Sequence, residues 1–208
     1  MGKRTLVMAA LLLMAAAPAV QPRGRATREE RQEKIRAMRD DTLRELYEKR
    51  PAAKELIEQS EGYAVFDNFG LKVLVAGATR GKGILMDRKT GVETFMKMAQ
   101  VGAGLGAGIK DCRVIFVFTS HKALEHFATK GWEFGGEFHL SAAARQEGAS
   151  RTGAVVVAPG VLVYQFTEAG LAAEITLGGS RYFKDKELNA GPEAEPPAAA
   201  PREPAPAG

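Results

Sequence analysis

Apolar side chains return at Ile35, Met38, Leu43, Leu46 and Tyr47, spacings close to multiples of 3.6, and charged residues fill most positions between them. Such a stripe predicts an amphipathic helix. Its start is marked by Thr27-Arg28-Glu29-Glu30, a T-x-x-E capping box in which hydroxyl and carboxylate satisfy orphan amides. Arg50-Pro51 ends it, and Pro51 suits the first turn of a second, short helix that carries Leu56 and Ile57 and closes near Glu61-Gly62. From Tyr63 onward the texture changes to short apolar runs parted by glycines, at 63–66, 71–76, 83–86, 114–118, 154–158, 161–166 and 172–177. These runs predict strands, and short links such as Asp87-Arg88-Lys89-Thr90-Gly91 suit antiparallel neighbours. One helix interrupts them at 121–129, with Ser120 as its N-cap and Gly131 as its C-cap. The expected class is α+β: a curved antiparallel sheet or sandwich with N-terminal helices and one inserted helix. It fills residues 27–189, with helices over 27–60 and mainly β structure over 63–189.

Gly102, Gly104, Gly106 and Gly108 alternate with Ala103, Leu105 and Ala107. At a period of two, all four glycines fall on one face of a strand and leave it bare, so that another backbone or an aromatic ring can approach. A phosphate-cradling loop is the alternative, but the glycines follow neither phosphate-loop spacing, and a β-like run at 114–118 follows in place of a helix.

The two ends read differently from the middle. Residues 1–19 have the form of an export signal, with Lys3 and Arg4, an apolar run over 6–17, and Ala17-Pro18-Ala19 matching the A-x-A cleavage pattern. The apolar run is shorter than the roughly 20 residues a spanning helix needs. The remainder is therefore expected to be exported, periplasmic or secreted, or peripheral on the membrane. Residues 191–208 hold six of the ten prolines among Ala and Glu and are expected to form a disordered tail.

Composition narrows the chemistry. Of 208 residues 45% are hydrophobic and 26% charged, an ordinary globular balance, and the net charge of +4 is too small to indicate nucleic acid. A single cysteine excludes an internal disulfide and an all-cysteine metal site within one chain. His121 and His126 lie five apart, off the i, i+4 spacing of a helical metal site, and His139 is the third histidine. Cys112 lies beside Asp111 and Arg113; it reads as a small buried thiol, with a nucleophile paired to a distant histidine as the alternative. No serine sits in G-x-S-x-G. No enzyme, metal or cofactor is expected.

The basic residues carry more. Lys72, Arg80, Lys82, Arg88 and Lys89 stand against one acid, Asp87, in a stretch interleaved with Gly77, Gly81, Gly83 and Gly91. Cations with backbone amides near Gly81-Lys82-Gly83 suit a lipid phosphate; a strand edge protected by lysines is the alternative. The first helix region, residues 20–50, adds ten basic residues against seven acidic ones, which suits either an anionic bilayer or a packed surface helix.

Several blocks in order carry a resemblance: Glu61-Gly62-Tyr63-Ala64-Val65-Phe66, Gly81-Lys82-Gly83-Ile84-Leu85, the glycine-alternating segment running through Asp111 to the strand at 114–118, Val163-Tyr164-Gln165-Phe166, and Gly170-Leu171-Ala172-Ala173-Glu174-Ile175 before Gly178-Gly179-Ser180. Over roughly residues 30–189 the chain resembles the SYLF domain family. The resemblance implies a lipid-binding module, since eukaryotic members bind phosphoinositides, a yeast branch also binds actin, and bacterial members are commonly exported single domains. Two blocks depart from the family pattern: Gly91-Val92-Glu93-Thr94-Phe95 replaces a Gly-Trp-Ser-like turn, and Gly170-Leu171-Ala172-Ala173-Glu174 lacks the family's aromatic. The expected function is non-enzymatic binding of anionic membrane lipid at the cell envelope through Lys72, Arg80, Lys82, Arg88 and Lys89. The alternative is a structural or protein-interaction domain that engages an envelope protein or a second copy. Actin is not an expected partner of an exported chain.

Overall fold

The computed structural model describes residues 26–67, 78–101, 112–135, 139–141, 152–167, 170–172, 174–177 and 179–191. The expected export signal at 1–19, the proline-rich stretch beyond residue 191, the run at 71–76 and the alternating glycines lie outside these.

Helix α1 (Arg28–Lys49) begins where the capping box places it: Thr27 Oγ1 accepts from the Glu30 amide at 3.1 Å, and the Thr27 amide donates to Glu30 Oε2 at 3.0 Å. Ile35, Leu43 and Leu46 form its buried stripe. Arg50 closes α1 and also stands at the N-cap of α2 (Pro51–Gln59), whose first position is the expected proline. A third helix, α3 (His121–Lys130), runs to Gly131, whose φ of 72° is left-handed and whose α-carbon faces the Tyr182 carbonyl so closely that a side chain would collide with it.

The strands are β1 (Gly62–Asp67), β2 (Ala78–Asp87), β3 (Glu93–Val101), β4 (Arg113–Phe118), β5 (Trp132–Phe134), β6 (His139–Ser141), β7 (Val155–Ala158), β8 (Val161–Thr167), β9 (Gly170–Leu171), β10 (Glu174–Thr176) and β11 (Ser180–Lys184). The main sheet, antiparallel throughout, runs β5-β11-β3-β2-β1-β4-β8-β7, with β9 beside β8, and curls into a half-barrel; β6 and β10 pair separately. This is the expected α+β class, with the curved sheet realised and the helices, not a second large sheet, covering its faces.

Alternation along the strands divides the core. Phe66, Leu85, Met96, Phe116, Val163 and Tyr182 face α3 and the β6–β10 pair, where Leu124, Phe127, Ile175 and Leu177 meet them. Phe66 and Phe116 contact Tyr182 with ring centroids 4.7 and 4.9 Å apart, in edge-on geometry. Val65, Ile115, Tyr164 and Phe166 face the other way, onto Leu43 and Leu46 of α1 and Ile57 of α2. Gly83 makes the first layer possible, because the ring of Phe66 lies where its β-carbon would be.

Strand β3 has no counterpart in the apolar runs of the sequence. Its residues alternate Phe95, Lys97 and Ala99 on the α1 face with Met96, Met98 and Gln100 on the other, so neither face is uniformly apolar and no β-branched run signals it. The α1 face there is closed by a C-terminal strap. Leu188 is buried with Ile35, Ile84 and Phe95, and Asn189 brackets Phe95 through its amide (2.9 Å) and carbonyl (2.7 Å).

Candidate functional site

Arg80 and Lys82 alternate on β2 and share the α1 face with Ile84, beyond the point where α1 covers the sheet. Lys82 stands directly opposite Lys97 on β3, and Lys97 directly opposite Phe183 on β11. Here a cleft of about 550 Å³ opens, lined by Arg31 of α1, by Arg80, Gly81 and Lys82, by Lys97, Met98 and Ala99, and by Phe183, Asp185 and Glu187. That volume lies within the range of small-molecule sites.

Two of its cations are already engaged. Lys97 Nζ lies 3.0 Å from Asp185 Oδ1, and Arg31 Nη2 lies 2.7 Å from Glu187 Oε1. The hydrogen bond to Glu187 raises the Arg31 pKa above its ordinary value. Asp185 is 2% exposed, and the same Oδ1 accepts from the amides of Glu187 (3.0 Å) and Leu188 (3.2 Å), so its carboxylate is fixed by the strap it begins. No ion pair of Arg80 or Lys82 occurs among the described residues. Four cations thus face two carboxylates, and the cleft carries a positive excess. Two of the backbone amides expected to assist are committed elsewhere: Lys82 and Gly83 pair with β1 on one side and β3 on the other, which ties their N–H groups into the sheet. The charged donors of this site are the side chains of Arg31, Arg80, Lys82 and Lys97.

The five basic residues expected to act together are not one cluster. Arg80 and Lys82 line the cleft, whereas Arg88 and Lys89 lie on the β2–β3 turn, about 26 Å along the chain from Arg80 at ~3.3 Å per residue. Arg88 donates to the Ile57 carbonyl at 2.6 Å and so serves the C-terminal end of α2. Lys89 is exposed on a turn ordered by Asp87, whose Oδ1 accepts from the Lys89 amide at 2.9 Å and the Thr90 amide at 3.1 Å. Lys72 lies outside the described residues. The cleft instead adds Lys97 and Arg31. Lys97 was within reach of sequence reasoning, because counting outward from the turn at 87–92 sets Lys82 against Lys97. Arg31 has no such signal, since α1 reaches the cleft through packing.

The basic first helix is a packed one. Arg36 and Arg39 hold Glu93 at 2.7 and 2.6 Å, and Glu45 holds Arg113 of β4 at 2.6 Å. Burial opposes ionisation of Glu93, yet the hydrogen bonds of the two arginines prevail and bring its carboxyl below the ordinary range. Burial pushes the Cys112 thiol up to about 11, partly offset by the Gln165 side-chain amide donating at 2.9 Å, so the nucleophilic thiolate is disfavoured near neutral pH. His121 Nδ1 is 3.6 Å from Glu61 Oε2, His126 is exposed on α3, and His139 lies on β6. Among the described residues no three His, Cys, Asp or Glu side chains gather as metal ligands, and no helix is long and apolar enough to cross a membrane.

Residues 99–191 match the family model described as "Ysc84: Las17-binding protein actin regulator". That span runs from the end of β3 through β11 and its strap. Beta cell expansion factor A of Aeromonas veronii is 36% identical over 156 residues, which cover 74% of this chain and 57% of that protein. The chain thus spans little more than half the length of the relative it matches. The family model and the relative agree with the ordered blocks of the sequence, and the chain belongs to the SYLF, or Ysc84, domain family.

Proposed function

We propose that this chain is an exported, non-enzymatic module that binds anionic lipid headgroups at the cell envelope, and that the cleft of β2, β3 and β11 holds the phosphate. The observation that carries the reading is the pairing of an open cleft with two cations, Arg80 and Lys82, that have no ion-pair partner among the described residues. Strand-borne cations stand at fixed positions, so attraction to a phosphate does not require a loop to be ordered first. Phe183 supplies an apolar wall beside them, with Arg181 5.9 Å from its ring centroid. The binding is Coulombic at root and falls with salt.

Flotation with vesicles tests this. The chain is expected to float with phosphatidylglycerol-containing vesicles, not with pure phosphatidylcholine, and to be released at high salt. Arg80→Ser with Lys82→Ser should weaken binding roughly 10- to 30-fold, at about 1 kcal/mol per basic residue near a charged surface. Arg88→Ser with Lys89→Ser should weaken it less, because Arg88 is engaged at α2. Equal binding to neutral and anionic vesicles would count against the lipid reading and leave protein partners to be sought.

A further inference from the structure

Within the cleft, the two carboxylates are held differently. Asp185 is 2% exposed and has Lys97 and two strap amides on one oxygen, so it cannot leave without undoing the strap. Glu187 sits in the turn that follows, its side chain 50% exposed, and it reaches back to cover Arg31, whose own side chain is only 21% exposed. Arg31 is also anchored by Nε donating to the Thr27 carbonyl at 3.3 Å, while its Nη2 donates to Glu187 Oε1 at 2.7 Å. A carboxylate on a guanidinium presents the same two-oxygen, one-charge face as part of a phosphate.

We infer that Arg31 is a further phosphate-binding residue, held in reserve by Glu187, which occupies it as an internal anion until a ligand phosphate displaces it. The inference rests on the lipid-headgroup reading of the cleft. Displacement exchanges one anion for another at Arg31, so the guanidinium is never left bare. Glu187 swings into solvent while Asp185 keeps the strap closed. With Glu187 gone, the lining groups have four cations against one carboxylate, which favours a ligand over the resting state.

The test uses the full chain and two probes: phosphatidylcholine vesicles containing phosphatidylglycerol, and glycerol 3-phosphate free in solution. Glu187→Gln is expected to bind about five-fold tighter, the effect of one charge near a charged surface. Glu58→Gln, an equal charge change on the exposed face of α2, is expected to change nothing. In an Arg31→Gln background, Glu187→Gln should give a clearly smaller gain, since only the general loss of one negative charge from the cleft then remains. Glu187→Asp keeps the charge on a shorter arm and should give a smaller gain, which covers the case in which Glu187→Gln fails to fold. A gain on both probes assigns the site to the phosphate group itself, and a gain on vesicles alone assigns it to a lipid. Unchanged binding by a folded Glu187→Gln variant, a gain undiminished by loss of Arg31, or an equal gain from Glu58→Gln overturns the inference while native binding keeps the lipid reading. Failure of every variant and of the native chain on both probes overturns the reading and the inference together.

Discussion

Lys82 and Lys97 face each other directly across β2 and β3, a like-charge pair that destabilises a sheet unless an anion neutralises it. Asp185 answers Lys97 and leaves Lys82 to the cleft. Two positions along the same face, Arg80 stands opposite Ala99 and adds a second strand-borne cation to the cleft. Stability and binding thus pull apart at these residues, as they do at sites built to take a ligand. Next to them, Gly83 serves packing alone. A methyl group there would sit 2.5 Å from the Val65 carbonyl oxygen and clash with the Cδ1–Cε1 edge of the Phe66 ring. Gly83→Ala should therefore cost about 1–3 kcal/mol, as overpacked cores do. Denaturant unfolding checks it, and a variant as stable as the native chain would show that the Phe66 layer yields more readily than its geometry indicates.

Among the elements, α1 is tied to β3 by the fork of Arg36 and Arg39 on Glu93 and to β4 by Glu45 on Arg113. Glu93 and Asp87 both have carboxyl pKa values below their ordinary 4.5 and 3.8, although burial opposes ionisation in each; the arginine hydrogen bonds lower the first and the turn amides and hydroxyl around Thr90 the second. A lowered folded-state pKa contributes stability that is present above the ordinary value and lost as pH falls through the folded one. Thermal stability should accordingly decline on acidification below about pH 4.5, with Glu93→Gln flattening part of that decline. Identical acid profiles for the two proteins would remove Glu93 from the account. How far each element was legible follows the same physics. The α1 capping box and stripe are local, and the runs at 63–66, 114–118 and 161–166 are dense in apolar residues, so both kinds of element could be read directly. Strand β3 alternates Lys97 with methionines, and β11 is Ser180-Arg181-Tyr182-Phe183-Lys184, so register with their neighbours defines them more than composition does.

At the scale of the molecule, the sheet separates charge that the sequence presents as one cluster. The stretch around Arg80 to Lys89 is continuous in the chain, but an extended strand carries its two ends to opposite edges of the fold. The end bearing Arg80 and Lys82 gains Lys97 from the next strand, Arg31 from a helix some fifty positions upstream, and Asp185 and Glu187 from the strap. Half of the cationic site was thus visible in one segment, and the remainder depended on tertiary packing that no local pattern encodes. The other end keeps Arg88 at the α2 terminus and Lys89 on a turn. These two ends make competing claims about where a phosphate sits. The most direct measurement is a heteronuclear NMR titration of the chain with a short-chain anionic phospholipid, following amide shifts residue by residue. The changes are expected to centre on Arg31, Arg80, Lys82, Lys97 and Phe183; shifts confined to the turn around Arg88 and Lys89 would contradict a phosphate site in the cleft.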